Sequence, residues 1–129
     1  MSGGESEPIA GGFLPEAVII EAEPDRYILE IVLEAGQPWF AGHFPEQAVL
    51  AGIVQVHWAM GFAKGFGFWE DDAPELRRVK FKAVLLPPTT VQLTLLKRAK
   101  GFRFLFESDG VLHSEGSVQT GRNRTGQPA

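Results

Sequence analysis

The chain has 129 residues, no cysteine and a formal net charge of −4. This length is typical of one domain with a single hydrophobic core, and 44% hydrophobic with 22% charged residues is ordinary globular composition. The lack of cysteine excludes disulfides, thiolate nucleophiles and cysteine-based zinc or iron–sulfur sites. The negative net charge disfavours non-specific binding of nucleic acid by the whole chain.

The two ends of the sequence differ from its middle. Residues 1–12 and 121–129 are rich in Gly, Pro and polar residues, so we expect flexible tails around one domain over residues 13–120. The acidic, glycine-rich start is unlike a signal peptide, and the weakly polar stretch 48–63 is too short for a membrane span. We therefore expect a cytoplasmic protein with no membrane partner.

The first half predicts two strands and a helix. Ala17–Ala22 is rich in β-branched residues, and Arg26–Leu33 alternates, so the two segments favour a hairpin. A loop over Glu34–Leu50 contains several aromatic residues, which is unusual for a surface loop. The helix, predicted over Gly52–Phe66, is apolar on every side, a pattern typical of a buried helix.

The second half predicts four strands. They are expected over Arg78–Leu85, Val91–Arg98, a segment around Phe102, Phe104 and Phe106, and Val111–Thr120; Asp109-Gly110 is a strong hairpin signal between the last two. The order ββ, helix, ββββ predicts an α+β domain in which one antiparallel sheet curls around one helix. This layout resembles the hotdog fold, whose domains usually pair to cover the rest of the helix.

The charges are unevenly distributed along the chain. Residues 77–103 hold eight of the 12 basic residues and no acidic residue, whereas residues 1–76 hold 13 of the 16 acidic residues. The basic block is a candidate docking face for an acidic partner. Cross-strand pairing with acidic strands near the N-terminus explains the same pattern, and the sequence leaves both interpretations open.

The histidines are the strongest candidates for chemistry. The sequence has no nucleophile elbow, phosphate-binding loop or zinc-type histidine spacing, so we expect no metal and no cofactor. His43 lies in the apolar loop, where burial would favour the neutral ring that a base needs. His57 lies in the apolar helix, where its ring would need a partner. A structural core histidine is the alternative for each, and His113 is expected to be structural or exposed.

Two motifs carry a family resemblance. Gly42-His43-Phe44-Pro45 is followed by Val49-Leu50-Ala51-Gly52-Ile53 and a helix. This pattern resembles the FabZ/FabA-type 3-hydroxyacyl-acyl-carrier-protein dehydratases, and the similarity continues through Val79–Lys82 and Leu86–Thr89. Gln55–Ala59 is most similar to the ApeI subgroup, also called hydroxymyristoyl-ACP dehydratase-like.

The sequence departs from this family at informative positions. Ala48 and Ala51 stand where the family has prolines, and Thr89 stands where it has an aspartate. His57 occupies the position of the catalytic carboxylate, 14 residues after His43. The register of the motif is therefore kept while the chemistry at one position changes.

The resemblance implies dehydration of 3-hydroxyacyl thioesters, bound to acyl carrier protein or to CoA, to trans-2-enoyl thioesters, in fatty acid or aryl-polyene-like lipid synthesis. His43 would remove the C2 proton, the Gly52 amide would polarise the thioester carbonyl, and His57 would handle the 3-hydroxyl group. It further implies a homodimer or an oligomer of dimers. The expected substrate-binding residues are Gly52, Phe44, Pro45, Val49 and Gln55, and those expected to dock the carrier are Arg78, Lys80, Lys82, Lys97, Arg98 and Lys100.

Two other functions remain open at this point. The loss of the acid at His57 favours a non-catalytic acyl-binding subunit that partners an active relative. A hotdog acyl thioesterase is the other alternative, although such enzymes use an Asp or Glu near the helix and the segment 52–66 has neither.

Overall fold

The computed structural model describes residues 14–40, 49–70 and 73–120. The expected tails, 1–12 and 121–129, and the site residues His43, Phe44 and Pro45 lie outside this range. The elements in chain order are β1 (Val18–Glu23), β2 (Arg26–Leu33), a short 3-10 helix (Pro38–Phe40), α1 (Gly52–Gly65), β3 (Glu75–Phe81), β4 (Thr89–Arg98), β5 (Gly101–Ser108) and β6 (Val111–Gln119).

The six strands form one antiparallel sheet in the order β1-β2-β4-β5-β6-β3. The helix α1 packs across β4 and β5, in the middle of this order. The predicted α+β hotdog architecture, with one helix against a curled antiparallel sheet, is therefore confirmed. Because β3 pairs with β6 and with no other described strand, it forms one edge of the sheet.

The core lies between α1 and the alternating faces of β4 and β5. Leu93 pairs with Phe106 and Leu95 with Phe104, so these four side chains share one face of the sheet. All four are fully buried, as are Trp58 and Phe62 on the facing side of the helix. The alternation predicted for these two strands is therefore confirmed.

The hairpin predicted at Asp109-Gly110 is also confirmed. Asp109 has φ 50° and Gly110 has φ 77°, so two successive residues adopt the left-handed region. Tight two-residue turns with this backbone match the twist of the flanking strands, and Asp-Gly tolerates it well. The turn sets the register that brings β6 alongside β5.

The prediction for β3 is wrong at both ends. The strand spans Glu75–Phe81 rather than Arg78–Leu85, and a bulge between Arg77 and Lys80 interrupts its pairing with β6. Its last residue, Phe81, is 55% exposed. The backbone amides of residues 82 and 83 both donate to the His113 carbonyl, so the chain leaves the ladder directly after Phe81.

The helix is not buried on every side, which corrects the sequence interpretation. It ends at Gly65, one residue before the expected Phe66, which serves as the C-cap. Ile53 is 75% exposed, and His57 and Lys64 on the same side are also exposed. A single chain therefore covers only one side of α1. In the described part of the chain, no helix is long and apolar enough to cross a membrane.

Candidate active site

A cavity of about 480 Å³ opens at the N-terminus of α1. It lies between the helix start and the chain that follows β3, two segments far apart in sequence. Three residues predicted to bind substrate, Val49, Gly52 and Gln55, meet here. The full lining is Val49, Leu50, Ala51, Gly52, Ile53, Gln55, Phe81, Lys82, Ala83 and Val84.

The helix N-terminus supplies backbone donors to this cavity. Ala51 is the N-cap and offers no side-chain cap, and the first helical bonds run from Val54 and Gln55 to the Ala51 carbonyl. Gly52 and Ile53 thus begin the first turn, where amide groups have no acceptor within the helix. These amides and the positive end of the helix dipole favour an oxygen that carries negative charge.

Gly52 packs against a neighbour that sequence reasoning missed. A Cβ atom at this position would lie 2.6 Å from the Phe81 ring, well inside contact distance. The absence of a side chain therefore admits the ring beside the helix start. No local signal indicates this contact, because Phe81 reaches the helix only through the pairing of β3 with β6.

Gln55 is buried with both ends of its amide bonded to the protein. Its Nε2 donates to the Leu50 carbonyl at 2.9 Å, and its Oε1 accepts from the Ser114 hydroxyl at 2.7 Å. Only 3% of the residue is exposed. These contacts tie the first turn of α1 to β6.

His113 is buried and structural, in agreement with the first of the two roles expected for it. Its Nδ1 donates to the Val84 carbonyl at 2.9 Å, and its Nε2 accepts from the Ser108 hydroxyl at 2.6 Å. A carbonyl oxygen can only accept, which assigns the ring proton to Nδ1. The ring therefore holds the chain that follows β3 against β6.

His57 does not line the cavity within one chain. Its ring is exposed on the uncovered side of α1, one turn after Ile53. The expectation that a buried ring would need a protein partner is wrong here, because solvent reaches the side chain. The distance between His57 and His43 is not described, since His43 lies outside the described residues.

Much of the basic block lies on the face of the sheet opposite α1. Arg103 pairs with Ser117, which pairs with Arg77, and Lys80 pairs with Glu115. These positions alternate with the buried Phe104 and Gly116, so their side chains point away from the helix. We call this surface, defined by Arg77, Lys80, Lys82, Arg98 and Arg103, the basic outer face.

The charge partners within this face differ from the expected ones. Glu115 forms ion pairs with Arg103 and with Lys82, the latter at 3.4 Å, and Arg77 lies 3.6 Å from Glu75. Pairing of these three cations with acidic strands near the N-terminus is therefore wrong. Desolvation raises the pKa of Glu115, but hydrogen bonds and positive charge from Arg103 and Lys82 outweigh it and lower the pKa below its ordinary value.

The six residues predicted to dock a carrier fall into separate environments. Arg78, Arg98 and Lys100 line a groove of about 590 Å³ at one end of the sheet, together with Arg77. Lys82 also lines the cavity at the helix N-terminus. Lys97 lies on the helix side, with Nζ 5.9 Å from the centre of the Phe68 ring.

Metal binding finds no support in the described residues. Across 14–40, 49–70 and 73–120, no three His, Asp or Glu side chains cluster in a way that could hold a metal ion. Among the described residues, the helix N-terminus offers backbone donors, an apolar wall and the side chains of Gln55 and Lys82.

Comparison with known families assigns the chain to one of them. A family model described as ApeI-like, ApeI dehydratase, matches residues 19–117. The chain belongs to the ApeI-like dehydratase family. The match spans both sides of the cavity and most of the domain. No curated protein sequence matches the chain.

Solved structures support the fold of this ApeI-like protein. The dehydratase heterocomplex ApeI:P from Xenorhabdus doucetiae aligns with a TM-score of 0.67 at 23% identity, covering 80% of this chain and 96% of that chain. An uncharacterised protein from Erwinia carotovora subsp. atroseptica aligns with a TM-score of 0.65 at 23% identity, covering 83% of this chain and 95% of that chain. The dehydratase domain from the CurF module of curacin polyketide synthase aligns with a TM-score of 0.64 at 18% identity, covering 86% of this chain and 44% of that chain.

Proposed function

We propose that this chain dehydrates 3-hydroxyacyl thioesters carried by acyl carrier protein to trans-2-enoyl thioesters. The observation that carries the proposal is the cavity at the N-terminus of α1, in a chain of the ApeI-like dehydratase family. We place the reaction in the cytoplasm, in fatty acid or aryl-polyene-like lipid synthesis. The acyl chain itself would lie against apolar residues such as Val49 and, from the loop before the helix, Phe44 and Pro45.

Removal of the C2 proton sets the chemical requirement. The carbanion that forms is stabilised as an enolate, so negative charge develops on the thioester oxygen. The Gly52 amide at the helix start is a preorganised donor for this oxygen. His43 is the base in this proposal, because a neutral imidazole can accept the proton near pH 7.

The site is completed by a second copy of the chain. Ile53 and His57 are exposed on the uncovered side of α1, and β3 is an unpaired edge of the sheet. Beside that edge, Phe81 is 55% and Val84 63% exposed, an apolar surface that association would bury. In the homodimer, His57 of one protomer would then face the cavity of its partner.

His57 takes the place of the usual carboxylate in this scheme. A protonated imidazole is a competent general acid, and it would donate a proton to the departing 3-hydroxyl group, which leaves as water. In this scheme His43 accepts the C2 proton and His57 gives a proton to the leaving hydroxyl group. One ring then serves as the base while the other serves as the acid.

The basic outer face is the proposed docking surface for the acidic carrier. Arg77, Arg98 and Lys80 are exposed there and offer long-range attraction to negative charge. Lys82 links this face to the cavity, since it pairs with Glu115 and also lines the helix N-terminus. A carrier docked on this face would therefore lie next to the cavity that Lys82 lines.

A non-catalytic acyl-binding subunit is the second candidate. It is favoured by one observation, namely that no Asp or Glu is among the described residues that line the cavity. In this case the chain would bind the acyl group and pair with a different hotdog chain that supplies the acid. The Xenorhabdus doucetiae neighbour is itself a heterocomplex.

Hydration of a crotonyl thioester, monitored as the loss of enoyl absorbance, tests the proposal. Crotonyl-ACP and crotonyl-CoA are compared for the wild type, His43→Ala and His57→Gln. We expect turnover in the wild type, near-complete loss in His43→Ala and a sharp fall in kcat for His57→Gln. A folded wild type without turnover on either carrier would instead support the binding subunit, and unchanged turnover in His57→Gln would remove that residue from the mechanism.

A further inference from the structure

The three buried polar side chains of the described chain occupy one place. Gln55, His113 and Ser114 are 3%, 7% and 0% exposed, and each of the other buried residues in the core is apolar. All three lie beside the cavity at the helix N-terminus rather than across the core. Burial of a polar group costs free energy unless the group is hydrogen-bonded, so the bonds of these three side chains decide whether they stabilise this part of the fold.

The hydrogen bonds of these residues form a closed circuit. The Leu50 backbone amide donates to the Leu85 carbonyl at 2.8 Å. The Leu50 carbonyl accepts from the side-chain Nε2 of Gln55. Gln55 in turn accepts from Ser114 on β6. The neighbouring His113 bonds the Val84 carbonyl, next to Leu85, which closes the circuit.

The circuit joins the two walls of the cavity. Leu50 lies two residues before Gly52, so its bonded amide and carbonyl hold the entry into α1. On the opposite wall, His113 holds residues 82–84 through its ring and through its carbonyl, which accepts the amides of Lys82 and Ala83. The Gly52 amide and the facing chain are thus held by the same set of bonds.

We propose that Gln55, with Ser114 and His113, positions the Gly52 amide relative to the opposite wall of the cavity. Gln55 acts through the backbone and not through contact with the substrate, because both ends of its amide bond protein groups. This inference rests on the proposed dehydratase function. A donor that is already oriented lowers the barrier because no reorganisation is needed as charge develops on the oxygen.

Paired substitutions test the kinetic part. Gln55→Met keeps the shape of the side chain and removes both bonds, while Ser114→Ala is a gentler change that removes one. Gln92→Met is the matched control, because Gln92 lies on β4 and bonds Glu30 away from the cavity. We expect Gln55→Met to lower kcat by about tenfold or more, as small displacements of catalytic groups do, with KM changed less than about threefold.

The double variant separates a circuit from independent contacts. If Gln55 and Ser114 act together, Gln55→Met with Ser114→Ala has nearly the same kcat as Gln55→Met alone. All variants are first checked for cooperative unfolding, so that loss of fold is not read as loss of positioning. The proposal would be overturned if the control Gln92→Met lowered kcat as much as Gln55→Met does. It would also be overturned if Gln55→Met altered KM and left kcat unchanged.

Hydrogen exchange keeps this inference distinguishable from the proposed function. The Leu50 amide, bonded to Leu85, should exchange slowly in the wild type and at least about tenfold faster in Gln55→Met, because local opening becomes easier. A wild type without turnover contradicts the proposed function. Faster exchange of the Leu50 amide in Gln55→Met than in the wild type would still support the positioning role. Unchanged exchange in Gln55→Met overturns it whatever the turnover.

Discussion

Strands β5 and β3 flank the same neighbour, β6, and differ in nearly every other respect. In β5, Phe102, Phe104 and Phe106 alternate into the core and are 0–1% exposed. In β3, every residue except Val79 is exposed, and a bulge interrupts the pairing. Both strands carry apolar residues at alternate positions, Phe102, Phe104 and Phe106 in β5 and Val79 and Phe81 in β3, so alternation alone does not determine burial.

The difference comes from what covers each strand. β5 lies in the interior of the sheet with α1 packed across it, so its apolar face is removed from water. β3 has one neighbouring strand, and the helix start meets it at Phe81. A face that one chain leaves uncovered can serve association and access to the cavity, which a core strand cannot do.

The largest expected effect is on stability in β5. Phe104→Ala should lower the free energy of unfolding by about 3–5 kcal/mol, because it removes a fully buried ring that packs against Phe106. Phe81→Ala should cost a single protomer less than about 1 kcal/mol, since the ring is mostly exposed within one chain. Urea unfolding of both variants, at a protein concentration low enough to keep the protomers apart, measures the two losses. Similar losses would mean that β3 is as buried as β5.

The same contrast explains which parts of the fold are readable from sequence. β2 spans Arg26–Leu33 as predicted, because its alternation ends at a turn and both of its edges pair with neighbouring strands. The Asp109-Gly110 turn was predictable because its backbone needs residues that tolerate positive φ. The limits of β3 were not predictable, because the His113 carbonyl that ends it lies 31 residues beyond Lys82.

The candidate site was likewise predictable from the sequence only in part. Gly52 at the helix start follows from the motif and the end of the loop, and the helix does begin there. The exposure of His57 was not predictable from the helix pattern, because it depends on how many sides of α1 the sheet covers. The partners of Gln55 were likewise hidden, since Ser114 is 59 residues away along the chain.

The second prediction concerns association through the β3 edge. Phe81→Glu places a charge on the exposed apolar surface beside Val84, so it should raise the dissociation constant of the proposed dimer by about tenfold or more. Analytical ultracentrifugation over a range of concentrations measures the shift toward monomer. The loss of turnover should follow the loss of dimer.

A matched control lies on the opposite edge of the sheet. Val18 on β1 is 54% exposed, close to the value for Phe81, and β1 is likewise an edge strand. Val18→Glu should leave the dimer intact if β3 forms the interface. If Val18→Glu dissociates the dimer and Phe81→Glu does not, the chain associates through β1 and the site is not completed across β3.

The smallest expected effect lies on the basic outer face. Arg103 and Lys82 lower the pKa of Glu115, so the folded state favours its carboxylate more than the unfolded state does. The resulting stability is present above the ordinary pKa of 4.5 and is lost as pH falls through the lower value in the fold. Glu115→Gln should therefore lower the melting temperature slightly at pH 7 and leave it unchanged in strong acid. A difference that grew as the pH fell would mean that Glu115 is held in its protonated form, which the two neighbouring cations oppose.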